Sequence, residues 1–166
     1  MNDSVGSSQK SKEGFFSAFS AGAFLVLLGA IFIATPGFFD SVSAFFLDFG
    51  TVEVPNFISG FFLPAPKNLA DHTTVYSAAI HFSLAWGIFL IGLLMLRLFA
   101  GSPLRKKAEN ASDIVFWLVG SFLISIFLNE TTTLTMWFEF WAVIIMLLGV
   151  SLVIRAIILA MFKVRT

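Results

Sequence analysis

Residues 73–129 read TTVYSAAIHFSLAWGIFLIGLLMLRLFAGSPLRKKAENASDIVFWLVGSFLISIFLN, two apolar runs separated by one short basic stretch. From Thr73 to Leu96 the only side chain that titrates near neutral pH is His81, and from Ile114 to Asn129 no charge occurs. A helix crosses a hydrocarbon core about 30 Å thick with about 20 apolar residues. The first run meets that length. The second has 16 residues, about 24 Å at 1.5 Å per residue, so its ends should sit at the hydrocarbon boundary. Between them, Gly101-Ser102-Pro103 reads as a turn beside Arg97, Arg105, Lys106 and Lys107. Ser112-Asp113 offers an N-cap with its acid against the helix dipole, so the later helix is expected from residue 112.

Working outward, the same grammar gives two more spans. Gly14 to Phe39 carries no charge, and Pro36-Gly37 should stop its helix, giving a span at 14–36. A signal peptide is the rival reading, but the run is long for its apolar region and no small-x-small cleavage site follows. Residues 134–162 form the fourth span, interrupted only by Glu139 and Arg155, the latter near the opposite boundary where it can snorkel. Residues 1–13 are small and polar, with nothing to bury, and are expected as a disordered cytoplasmic tail. Residues 38–49 place Phe38, Val42, Phe45 and Phe49 at helical spacing, interrupted by Asp40 and Asp48. That helix is too short and polar to cross and should lie in the outer interface. Pro55, Pro64 and Pro66 forbid a helix in the next segment, while Phe57, Phe61, Phe62 and Leu63 are too apolar for a solvated loop. The expected fold is an all-α integral membrane protein, one domain over 14–163, with four transmembrane helices and an outer interfacial helix.

Composition excludes most alternatives. With 58% hydrophobic and 12% charged residues, the chain lies far from a soluble domain, where about a quarter of residues are charged. Nine of its ten basic residues fall in the N-terminal tail, at 97–107 and at the C-terminal end, while the intervening segments carry Asp40, Asp48, Glu53, Asp71 and Glu130 against Lys67 alone. With four crossings this segregation puts both termini in the cytoplasm of a cell-membrane protein. Net charge is zero, which gives no footprint for nucleic acid. The absence of cysteine removes disulfides, thiolate metal sites and cysteine nucleophiles. Tyr76, Trp137 and Trp141 fall near the expected outer boundary and Trp117 near the inner one, whereas Trp86 is mid-span and should be packing.

Ala79, Ser83 and Gly87 make a small-residue stripe on span two, and Ala142, Gly149 and Ala156 another on span four, both suited to close helix packing. Glu139 shares the second stripe's face and should therefore point to neighbours. The residues expected near it in one outer layer are His81, Glu130, Tyr76 and Asn129, a candidate intramembrane polar cluster with His81 and Glu139 within hydrogen-bonding reach. It reads either as a helix-to-helix tie or as a proton or cation site. No close ligand spacing suggests metal, and His72 and His81 sit at different heights for haem, so no cofactor is expected. Asp48-Phe49-Gly50 stands without any other kinase element, and the sequons at Asn110 and Asn129 lie inside and against the membrane. The leading functional expectation is an accessory or assembly subunit of a larger membrane complex, with the bilayer and other membrane subunits or further copies as partners. The alternative is an oligomeric proton, cation or small-solute transport module using the outer His/Glu cluster. An enzyme has the least support.

Overall fold

The computed structural model describes residues 2–55 and 59–163, the side chains of 2–10 and 162–163 excepted. It is predominantly helical, at 79%, and four of its helices are long and apolar enough to cross a membrane: Ser11–Ala34, Leu69–Phe99, Leu104–Phe127 and Leu134–Met161. In chain order the elements are α1 (Asn2–Ala34), α2 (Phe38–Leu47), β1 (Phe49–Glu53), β2 (Phe62–Pro66), a 3-10 turn (Leu69–His72), α3 (Thr73–Phe99), α4 (Leu104–Phe127) and α5 (Leu134–Lys163).

Local chemistry explains most boundaries. Pro36-Gly37 ends α1 as expected, and Gly37 takes the left-handed conformation at φ 66° that opens α2. At the other end α3 closes in a Schellman motif. Gly101 has φ 69°, Ser102 N–H bonds to the Arg97 carbonyl at 3.0 Å and Gly101 N–H to the Leu98 carbonyl at 3.3 Å. Pro103 then caps α4. The expected start of that helix at 112 is wrong by two turns. Arg, Lys, Ala and Glu between 105 and 109 are good helix formers with no stop among them, so Ser112 lies buried inside a helix of 24 residues. The length that made the run look short is thereby restored. At the N-terminus α1 begins at Asn2, so the expected disordered tail is instead helix. Once a helix is nucleated each further residue adds a bond, and residues 2–13 contain no proline.

The fold is not all-α. Strands β1 and β2 form an antiparallel hairpin pairing Phe49 with Pro66 and Glu53 with Phe62. Lys67 N–H reaches the Asp48 carbonyl at 3.2 Å and Val54 N–H the Phe61 carbonyl at 3.0 Å. Alternation between those hydrogen-bonded pairs puts Pro64 and Pro66 opposite Thr51 and Phe49 at non-hydrogen-bonded positions, where a missing N–H costs the ladder nothing. Prolines that forbid a helix thus permit this strand. Phe57 lies outside the described residues.

The long helices form a bundle in which α3 packs chiefly on α4 and α4 on α5, while α1 leans mainly on α3 and touches α2 through Phe32. Gly87 permits a close approach, since a Cβ there would overlap Leu118 Cδ2. Ser83 is buried beside it, as the stripe on this helix requires. Two apolar clusters hold the bundle. One, at the hairpin end, joins Ala65, Leu69, Tyr76, Leu128, Trp137 and Phe140 with Phe45 and Phe49 against them. The other gathers Phe16, Trp86, Leu90 and Leu93 between α1 and α3, where Phe24 meets the Trp86 ring edge-on at 5.3 Å. Trp86 is packing, as expected for its mid-span position.

Candidate functional site

The hairpin end is organised by Asp48, the residue that closes α2. Its carboxylate accepts the Asn68 backbone N–H at 2.7 Å, Asn68 Nδ2 at 2.9 Å and His72 Nε2 at 2.9 Å. The His72 side chain is 7% exposed, and its ring stands edge-on to Phe45, centroids 5.1 Å apart. The His72 contact, followed by the Asn68 N–H, holds the Asp48 carboxyl below its usual value of 3.8. One side chain thereby ties the end of α2, both ends of the hairpin and the entry to α3. A turn later, Tyr76 is buried and donates its hydroxyl to the Leu69 carbonyl at 3.0 Å. An acid-imidazole pair can orient a catalytic histidine, but among the described residues no nucleophile bonds to His72. The adjoining pocket of about 280 Å³ is lined by Asp40, Ser41, Ala44, Asp71 and His72, and no three acidic or histidine side chains among the described residues could hold a metal ion.

The expected polar cluster comes together only in part. Tyr76, Asn129 and Glu130 do share a cleft of about 180 Å³ with Thr73 and Ser77. Asn129 is engaged in its own turn, its Oδ1 accepting Thr131 N–H at 2.8 Å and its Nδ2 bonding to the Ile126 carbonyl at 3.0 Å. His81 is exposed on another face of α3, and Glu139 is exposed on α5. They make no hydrogen bond to each other, because α5 packs chiefly on α4. Trp137 and Phe140 are buried and take the inward face of α5. Glu139, about 200° around the helix from Trp137, must face away.

The small-residue stripe on α5 turns outward with it. Ala142, Gly149 and Ala156 are all exposed, and no described residue lies within 4 Å of where a Gly149 Cβ would stand. The expectation that this stripe is an internal seam is therefore corrected. Leu147 and Ser151 are the buried positions toward α4.

A second opening lies between α1 and α3 at the hairpin end. It measures about 550 Å³ and is lined by Ile31, Ala34, Thr35, Pro36, Thr73, Thr74, Ser77 and His81. At the basic end, Arg97 is buried, donates Nη1–H to the Lys106 carbonyl at 3.1 Å and stands 3.9 Å from Glu13, fastening α1 to the turn between α3 and α4. Asn110, more deeply buried, donates to the Leu90 carbonyl at 2.7 Å across α3 and α4. Sequence reasoning misses the Asp48–His72 tie and Asn110, the first because 24 residues separate its partners, the second because Asn110 follows a basic stretch that reads as loop. No protein-family model, curated protein or solved structure matches the chain.

Proposed function

We propose that this chain is a multi-pass membrane protein, with both termini cytoplasmic and its hairpin end outside, that serves as an accessory or assembly subunit of a larger membrane complex. The orientation follows from the charge segregation, since the basic side chains of Arg97, Arg105, Lys106 and Lys107 gather at one end of the bundle. The observation that carries the subunit reading is the outward face of α5. Glu139 stands there exposed, five residues into the helix, above an exposed stripe of Ala142, Gly149 and Ala156. A carboxylate facing hydrocarbon is penalised, by about 2.5–3.5 kcal/mol at mid-membrane and less near the boundary. Small residues at helical spacing are what let a second backbone approach. Acid and stripe together describe a seat for a partner helix carrying a hydrogen-bond donor at the height of Glu139.

The transport alternative draws less support, because His81 and Glu139 are exposed on different helices and do not meet within one chain. Purification in mild detergent followed by mass measurement tests the subunit reading. A hetero-complex is expected for the native chain, and Gly149→Leu should release it while leaving the chain's own thermal stability unchanged, because no internal contact faces Gly149. A monomer in both cases would refute the proposal, and a homo-oligomer dissolved by Gly149→Leu would move the partner from another subunit to a second copy.

A further inference from the structure

We infer that the cleft between α1 and α3 binds the headgroup and glycerol region of one outer-leaflet phospholipid. The lining is chemically one-sided. Thr35, Thr73, Thr74, Ser77 and His81 offer hydroxyl and imidazole donors, and among the described residues no carboxylate lines the cleft, whereas the neighbouring pocket holds Asp40 and Asp71. None of those five side chains makes a hydrogen bond to another described residue, so the donors are unspent on the protein itself. A hydroxyl-rich cleft without negative charge suits an anionic acceptor such as a phosphodiester.

Depth fits the same ligand. Counting 20 residues from Arg97 at the basic boundary covers about 30 Å and reaches Ser77. Thr73 and Thr74 then lie in the headgroup layer, Ser77 at the level of the glycerol esters, and His81 about 6 Å below the boundary, at the top of the acyl chains. Below His81, at intervals of three and four residues, Leu84, Ile88 and Ile91 continue on the same face of α3 and are exposed by 44, 58 and 42%. Polar donors above an exposed apolar stripe match an amphiphile, and a water-soluble phosphate would leave the stripe unused. This inference rests on membrane residence and orientation, but not on the subunit reading.

The test is native mass spectrometry of the purified chain with added phosphatidylglycerol, alongside thermal melting with and without the lipid. One retained phospholipid and a lipid-dependent rise in melting temperature are expected. Combined replacement Thr74→Ala, Ser77→Ala and His81→Leu should weaken retention at least tenfold and abolish the rise, with the lipid-free melting temperature unchanged. Should that variant fold poorly, Ser77→Trp, which fills the cleft from an exposed position, should do the same. Millimolar glycerol phosphate should neither bind nor displace the lipid. Undiminished retention in either variant, no retained lipid in the native chain, or binding of glycerol phosphate with equal affinity would overturn the inference. Carbonate-resistant membrane association of the same chain separates failure of this site from failure of membrane residence.

Discussion

The contact between Gly87 and Leu118 permits the sharpest energetic prediction, because α3 carries its own control. A methyl group added at Gly87 would overlap Leu118 Cδ2 and stand 2.8 Å from its Cγ, and the Leu118 backbone nitrogen at 3.5 Å limits retreat, whereas at Gly92 nothing among the described residues lies within 4 Å. Overpacking typically costs about 1–3 kcal/mol. Replacing glycine by alanine within a helix returns about 1 kcal/mol. Gly87→Ala should therefore destabilise by about 0–2 kcal/mol and Gly92→Ala should be neutral or stabilising by up to about 1 kcal/mol. Their difference, about 1–3 kcal/mol, isolates the α3–α4 contact. Reversible unfolding in mixed detergent and SDS micelles reads both, and a cycle with Leu118→Ala should show that the Gly87→Ala penalty disappears when the opposing side chain is removed. Equal effects at Gly87 and Gly92, or an unchanged penalty without the Leu118 side chain, would refute this packing of α3 on α4.

Asn110→Ala should cost about 1 kcal/mol in the same assay, since it removes the buried donor to the Leu90 carbonyl. The Asp48 tie gives a pH signature. Its carboxyl is held below 3.8 in the fold, so its contribution is present in full above that value and is lost as pH falls through the lower folded value. Fluorescence of Trp137, which packs on Phe49 of the hairpin, should stay constant between pH 5 and 8 as far as this group is concerned and change only in acid below about 3.8. Asp48→Ala should remove that acid transition and raise cleavage by protease within 49–66 at neutral pH. Replacing Arg105, Lys106 and Lys107 together by Gln should mix the membrane orientation, whereas Lys67→Gln should not.

The long helices are legible in the sequence because a span needs only length and missing charge, and both can be counted along a line. What surrounds a span is less so. The start of α4 is hidden by a basic run that looks like a loop, although Arg, Lys and Glu favour helix as well as solvent. Prolines 55, 64 and 66 announce a break but not the register that lets two of them sit in a strand. Asp48 and His72 meet only because the hairpin folds back, and no periodicity links residues across such a return. The face of α5 is the instructive failure. The spacing of Glu139, Ala142 and Gly149 identifies a common face correctly, but α5 is apolar on all sides, so periodicity cannot say whether that face meets α4 or nothing. Trp137 and Phe140 decide it, through bulk that fits against Leu128 and Tyr76.

The membrane placement underlying these proposals has one direct test, made simple by a chain without cysteine. Single substitutions Lys67→Cys and Lys106→Cys, both at exposed positions, are to be treated with a membrane-impermeant thiol reagent in intact cells and again after permeabilisation. The thiol at position 67 should label in both conditions and the thiol at position 106 only after permeabilisation. Labelling at position 106 in intact cells, with position 67 protected, would reverse the orientation, and equal labelling of both without permeabilisation would contradict a chain that crosses the bilayer between them.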